Sequence, residues 1–228
     1  MLIEKIFQRI EDAVISRYFS PINLINRRAT IEATNFIEKN MGNALLLRKT
    51  IKLREFIVHN VRDIEGDCLE FGVYKGDSIN FFSEKLKNKQ FFGFDTFTGL
   101  TENWAGTAMP AGTFDLKEVL PKVNKNVDLI KGDIRFEAPK FFDNRKSKIS
   151  FVHIDCDLYK PAATALFCVK PFLNPGAIIL FDDFFNYPGW KEGELKALRE
   201  NFADHEYEYL CFSKCQAAIR FLGSNTSS

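Results

Sequence analysis

The residues with the most chemical potential are acids placed at the ends of short apolar runs. HIDCDLY (153–159) and FDDF (181–184) put Asp155, Asp182 and Asp183 at the ends of two such runs. If the runs are neighbouring strands of one sheet, the three carboxylates converge. Carboxylates so close cannot all stay ionised without a cation. Hard oxygen donors in this number suit Mg²⁺, with Ca²⁺ or Mn²⁺ as variants. Such a cation could bind two neighbouring hydroxyls of a substrate and lower the pKa of one. The competing use for these acids is to cap helices or to pair with Lys and Arg. Asp155 or Asp157 is placed to accept a substrate proton, with a supporting role behind the ligands as the other reading of Asp157. His153 shares the Asp155 face by strand alternation. A buried, satisfied histidine is preferred there over a ligand.

A second set of residues lies upstream, in DCLEFGVYKGDSINFFSEKLKNKQFFGFD (67–95). An apolar run from Cys68 to Phe71 breaks at Gly72. A turn carries Gly76, a helix begins near Asp77, and a second run from Phe91 to Phe94 ends on Asp95. This is the strand, turn, helix, strand and acid of a nucleotide-binding unit. The turn is neither G-x-G-x-x-G nor G-x-x-x-x-G-K-[ST], so it lacks a phosphate cradle. Glu70, at the strand end two residues before Gly72, would repel phosphate and suits an ammonium or sulfonium charge. Asp95 is placed for ribose hydroxyls, and Asp133, after the run 127–131, for an adenine amino group. An amino acid joined through a cation to adenosine meets all three demands, which points to S-adenosylmethionine. Two glycines making a plain tight turn are the competing reading.

The elements that must position these acids follow from periodicity. Apolar residues at 2, 3, 6, 7, 10, 14 and 15 predict an amphipathic helix over 2–18. Its stripe fits internal packing or a dimer face better than a membrane surface, because the polar face is not strongly basic. Pro21 ends this segment or lies just past it, and a second helix is expected from an N-cap at Thr30 to Asn40. A third covers 48–62. Strands are expected at 127–131, 149–155 and 177–181, and helices at 138–144, 162–173 and 193–202. The segments 208–212 and 217–222 predict a closing antiparallel hairpin. Alternating strands and helices imply a mostly parallel sheet, which binds ligands at the carboxyl ends of its strands. Residues 96–126 contain Gly99, Gly106, Pro110, Gly112 and Pro121, a connection long enough to be functional.

Composition limits the function classes. The chain has 228 residues, 46% hydrophobic and 27% charged, with net charge +1, which disfavours a nucleic-acid partner. Its five cysteines form no CxxC pair, so reduced buried thiols in a cytoplasmic protein are expected. No run approaches the roughly 18 apolar residues of a membrane span. The N-terminus lacks the apolar core of a signal peptide.

Taken together, EFGVYKG, FDTFTGL, HIDCDLY and FDDFFNYPGW resemble the macrocin O-methyltransferase (TylF/MycF-type) family of class I S-adenosylmethionine-dependent methyltransferases, over about residues 60–222. The resemblance implies an α/β Rossmann-like fold: a seven-stranded, mostly parallel sheet with its last strand reversed, helices on both faces and an N-terminal helical extension. The expected division is 1–62 extension, 63–223 methyltransferase domain and 224–228 tail. The implied cofactor set is Glu70, Phe71, Gly72, Tyr74, Gly76, Ser78, Asp95, Thr96, Phe97, Gly132, Asp133 and Asp155. Asp155, Asp182 and Asp183 would hold Mg²⁺, and Asp155 or Asp157 would act as base. The segment 100–118 would form a lid, with Trp104, Met109, Phe185, Tyr187 and Trp190 toward a glycosidic small-molecule acceptor. A homodimer or higher homo-oligomer is expected. A metal-independent methyltransferase and a non-catalytic cofactor-binding scaffold are the alternatives. The chain departs from the family pattern at Phe71 and Asp77, where a cysteine and a second glycine are usual, and no histidine lies in the lid segment.

Overall fold

The structure, a computed structural model, describes residues 2–143 and 145–223. The expected tail 224–228 and the last position of the helix expected at 138–144 lie outside the described residues. In chain order the elements are α1 (Leu2–Phe19), α2 (Pro21–Asn40), β1 (Leu45–Leu46), α3 (Thr50–Val61), β2 (Asp67–Phe71), α4 (Asp77–Lys85), β3 (Phe91–Asp95) and β4 (Val127–Lys131). They continue with α5 (Ile134–Phe142), β5 (Ile149–Ile154), α6 (Tyr159–Val169), β6 (Leu173–Phe181), α7 (Glu194–Asn201), β7 (Tyr207–Ser213) and β8 (Gln216–Phe221).

One sheet of eight strands runs β1-β7-β8-β6-β5-β2-β3-β4. Every pairing is parallel except those of β8, which is antiparallel to both β6 and β7. The reversed last strand and the closing hairpin match expectation. The eighth strand does not: β1 is two residues that pair with Cys211 and Phe212 at the sheet edge. Two residues carry no readable period.

β5 sits near the middle of the sheet and is buried at all six positions. It therefore shows no apolar-polar alternation, and its two polar members, Ser150 and His153, are buried as well. Apolar residues fill both faces. Leu53, Ile57 and Val61 of α3 pack with Ile79 and Phe82 of α4 on one side. Ala33 and Phe36 of α2 join residues of α5, α6 and α7 on the other. The apolar stripe of α1 is exposed, with Ile3, Phe7 and Ile10 all more than half accessible.

Local chemistry explains where boundaries move. Pro21 opens α2 rather than closing the segment before it. Ser20 is the N-cap, its Oγ accepting from the Asn23 amide at 3.4 Å, and a proline at N1 gives up only an amide that would be orphaned anyway. Thr30, expected as the cap, lies mid-helix and donates its hydroxyl to the Asn26 carbonyl at 3.1 Å. α5 starts at Ile134 because Asp133 caps it, its Oδ1 accepting from the Arg135 amide at 2.9 Å. β6 starts at Leu173, four residues before its expected start. Pro175-Gly176, expected as a turn, is absorbed as an irregularity: the β5–β6 register jumps from Ile149↔Leu173 to Phe151↔Ile178.

The closest backbone approach that shapes the site is at Gly72, just past β2. Its φ is +93°, and a Cβ there would lie 1.7 Å from the Asp155 carbonyl oxygen. Only glycine lets the end of β2 meet the end of β5. Gly72→Ala is expected to cost about 2–4 kcal/mol of stability in urea unfolding and to abolish S-adenosylhomocysteine binding. A variant with wild-type midpoint and affinity would contradict this account of the crossing.

Candidate active site

A cleft opens at the carboxyl ends of β2, β3 and β5, with about 740 Å³ of open space including its mouth. Gly72, Tyr74, Asp95, Thr96, Asp133, Asp155 and Asp157 line it, so seven residues singled out from sequence are brought together. Leu100, Thr101, Phe114, Cys156, Leu158 and Pro161 complete much of the wall. Sequence reasoning missed these as contacts. Phe114 approaches edge-on to Tyr74 at 5.2 Å, and the advance signals for it were the length of the 96–126 connection and the lid expected over 100–118. That connection folds against the cleft and is pinned by short bridges Thr98↔Asp115 and Trp104↔Met109.

Asp95 organises the first turn. Its Oδ2 accepts from the Val73 and Tyr74 amides at 2.8 and 2.7 Å, and its Oδ1 from the Phe97 amide at 2.7 Å. Tyr74 and Phe97 both carry positive φ, +46° and +55°. The carboxylate thus holds two strained residues in place, and Asp95 also lines the cleft. Gly76 caps α4 in a left-handed conformation. Gly132 donates its amide to the Asp95 carbonyl at 2.9 Å and so ties β4 to β3.

Several expected cofactor contacts serve the fold instead. Phe71 stacks on Phe94 with centroids 4.7 Å apart, and Phe97 is fully buried. Glu70 does not face the cleft. It is 1% exposed, with Oε1 taking the Ser78 hydroxyl at 2.9 Å and Oε2 lying 2.9 Å from His153 Nδ1. A strand-end acid flanked by a buried histidine satisfies itself within the protein before any ligand arrives. Ser78 is likewise committed to Glu70. Asp133 lines the cleft but is forked by Arg135, whose Nε lies 3.0 and 3.1 Å from its two oxygens. Those bonds hold the Asp133 carboxyl below its usual range.

The acids at the ends of β5 and β6 form two overlapping groups. Ligand atoms of Asp155, Asp157 and Asp183 all lie within 4.8 Å of one another, as do those of His153, Asp155 and Asp182. The expected set of Asp155, Asp182 and Asp183 is therefore redrawn, with Asp157 in place of Asp182. Asp182 and Asp183 are consecutive, so they face different ways. Asp182 meets Gln216 Nε2 and lies 3.4 Å from His153 Nε2.

The electrostatics follow from crowding. Burial and the neighbouring Asp183 push Asp157 up to about 8. Burial and Asp182 push Asp183 up to about 7. Asp155 is driven well above the carboxylate range by burial and Asp182. Burial works against a charged His153, but Asp182 and Glu70 outweigh it and raise the imidazolium to about 10. His153 is fully buried, as the preferred sequence reading had it.

A smaller cavity adjoins the cleft and shares Asp157 and Leu158 with it. Trp104 and Tyr187 form its aromatic wall, edge to face at 5.5 Å. Met109 pairs with Trp104 through backbone and lines neither cavity. Phe185 and Trp190, expected toward the acceptor, are core residues at 1% exposure. Trp190 packs on Phe36 of α2 at 5.4 Å. An aromatic run after a strand can face either way, and here α2 supplies the apolar partner.

A family model described as a methyltransferase domain matches residues 69–184, just over half of the chain. The chain belongs to this methyltransferase-domain family. Among solved structures, it is similar to CalS11, a calicheamicin methyltransferase, at 26% identity and TM-score 0.65, covering 88% of this chain and 93% of that one. The apo form of CalS11, described as a TDP-rhamnose 3'-O-methyltransferase, aligns at 23% identity and TM-score 0.57 over 88% and 95% of the two chains. The O-methyltransferase NovP aligns at 18% identity and TM-score 0.56 over 76% and 81%. No curated protein sequence matches the chain. The Rossmann-like fold and the methyltransferase domain agree with the expected S-adenosylmethionine-dependent O-methyltransferase, the donor being the one this fold implies. No helix among the described residues is long and apolar enough to cross a membrane.

The raised groups fix a pH dependence for the cation-free protein. Asp157, Asp183 and His153 all bind protons more tightly folded than unfolded, so stability falls as pH rises. The loss begins above the unfolded carboxylate range and continues through about 7 and 8 for Asp183 and Asp157, and toward 10 for His153. The melting temperature in chelator is expected to drop between pH 6 and 9, and Asp157→Asn with Asp183→Asn to flatten that slope. A melting temperature that rises over this range would reverse the assignment.

Proposed function

We propose that this methyltransferase transfers the methyl group of S-adenosylmethionine to a hydroxyl of a sugar or another diol-bearing small molecule, with Mg²⁺ bound by Asp155, Asp157 and Asp183. The observation that carries the reading is the convergence of these three carboxylates within 4.8 Å, with Asp155 lining the cleft and Asp157 lining both cavities. The donor set is all oxygen, which fits Mg²⁺ and also Mn²⁺ or Ca²⁺. Burial first and the neighbouring carboxylates second displace all three acids upward, and a cation would relieve the second cause. When bound, the cation supplies orientation of two vicinal hydroxyls and acidifies one of them. The similarity to CalS11, described as a TDP-rhamnose 3'-O-methyltransferase, supports this acceptor class, and membership of the narrower macrocin type belongs to the same proposal.

The chain's own residues do the rest. The turn held by Asp95 and the floor at Gly72 seat the nucleoside and its sulfonium end. Trp104 and Tyr187 offer flat faces to a sugar ring beside Asp157. The hydroxyl oxygen attacks the methyl carbon in line, the carbon–sulfur bond breaks, and S-adenosylhomocysteine leaves. Asp155 or Asp157 takes the hydroxyl proton, since both line the cleft. Holding the two substrates in line accounts for much of the rate.

One observation favours a cation-independent version of the same reaction. The raised proton affinities of His153, Asp157 and Asp183 already offset part of the charge. Chelator decides between them. Asp183→Asn is expected to lower Mg²⁺-dependent turnover on a glycoside acceptor by about 100-fold or more, with S-adenosylhomocysteine affinity within about threefold of wild type. Full turnover in excess chelator sinks the Mg²⁺ role and leaves the methyl transfer standing.

A further inference from the structure

At the end of β6 each backbone amide is tied down in turn. Asp182 N–H donates to the Ile154 carbonyl at 3.0 Å, and the Phe184 and Phe185 amides reach the Cys215 carbonyl at 2.9 and 3.3 Å. The Asp183 amide alone in this run has a side-chain partner: it donates to Glu194 Oε2 at 3.0 Å. Glu194 is the first residue of α7 and is fully buried, and its Oε1 has no hydrogen-bond partner. A carboxyl in that position is costly, because burial and the neighbouring Asp183 and Asp182 all oppose its charge. A hydrophobic residue would pack there without that cost, as Leu195 and Leu198 do beside it. Packing alone therefore does not account for the acid.

We propose that Glu194 is a positioning residue: its carboxyl oxygen grips the Asp183 backbone and so aims the Asp183 carboxylate at Asp155 and Asp157. The strand ends at Phe181, so no ladder bond is left to orient Asp183. With the Glu194 bond in place, the peptide plane before Asp183 is fixed, and with it the direction of the Cα–Cβ bond. α7 thereby acts on the acid cluster at one remove, through a single bond to a main-chain amide. The inference rests on the reading of Asp155, Asp157 and Asp183 as a divalent-cation site. It concerns the residue behind that site and not the ligands.

The test compares Glu194→Gln with Glu194→Met in the full chain. Glutamine keeps a carbonyl oxygen for the Asp183 amide, and methionine keeps the volume without an acceptor. Mn²⁺ is titrated by calorimetry, S-adenosylhomocysteine is titrated separately, and amide exchange is followed over residues 182–185. Glu194→Met is expected to weaken Mn²⁺ by about tenfold or more, the scale on which residues supporting metal ligands act. The Asp183 amide should exchange at least ~10-fold faster, with S-adenosylhomocysteine affinity held. Glu194→Gln should restore both readouts. Wild-type Asp183 exchange in Glu194→Met overturns the proposal, as does a Gln variant as impaired as the Met variant. If Glu194→Met fails to fold, exchange in Glu194→Gln decides: slow exchange supports the role and fast exchange overturns it. If the wild type itself binds no Mn²⁺, the cation reading fails, and the exchange comparison still judges Glu194.

Discussion

Like charges in a low-dielectric edge govern this structure. Glu70, Asp155, Asp157, Asp182, Asp183 and Glu194 all gather where β2, β5 and β6 end, each of them mostly or wholly buried. Two carboxylates at hydrogen-bond range repel strongly once water is excluded. The fold offsets this by three devices. His153 sits between Glu70 and Asp182 as an imidazolium. The Gln216 side chain donates to Asp182 and the Asp183 backbone amide to Glu194. Third, burial and the neighbouring acids raise the proton affinity of Asp155, Asp157 and Asp183, which lessens the charge they carry. These are the three acids proposed above to take a cation.

The acids of the site divide by what their oxygens hold. Asp95, Asp133 and Glu194 accept from main-chain amides and shape loops. Asp155, Asp157 and Asp183 have one another as neighbours. A strand-end acid announces itself in sequence, but its partner does not, because the partner amide comes from a loop or helix far along the chain. Glu70 shows the limit most plainly. An acid before a glycine suggested a contact to a cationic ligand, whereas His153, 83 residues later, takes that position through strand pairing. Glu70 and His153 are register partners on adjacent strands, and that pairing needed the strand order.

What the sequence did make legible is what repeats or breaks a period. The parallel sheet, the glycine turn and the cleft-lining Gly72, Asp95, Asp133, Asp155 and Asp157 follow from apolar runs ending in acids or glycine, while the reversed last strand, Tyr74 and Thr96 came with the family resemblance. The two-residue β1 was too short to show a period. The facing of Phe185 and Trp190 depended on α2 packing across the sheet, an arrangement that no spacing within their own segment encodes. Asp157 replaced Asp182 in the carboxylate group because consecutive residues leaving a strand diverge, and the sequence shows adjacency but not direction.

Asp157 joins these strands of the argument. Leu158 N–H donates to the Cys156 carbonyl at 2.6 Å across it, closing a three-residue turn with Asp157 at φ +61°. A non-glycine residue in such a turn is strained, and aspartate is among the residues that bear it best. The turn lies where the cofactor cleft and the aromatic cavity share a wall. A straight exit from β5 would carry residue 157 onward with the chain. The tight turn reverses it, so that its carboxylate comes within 4.8 Å of both Asp155 and Asp183. Strain at this point is held by the buried strand before it and by α6 directly after it. The buried sheet centre holds this strained aspartate at the wall the two cavities share, which under the function proposed above puts it between methyl donor and acceptor.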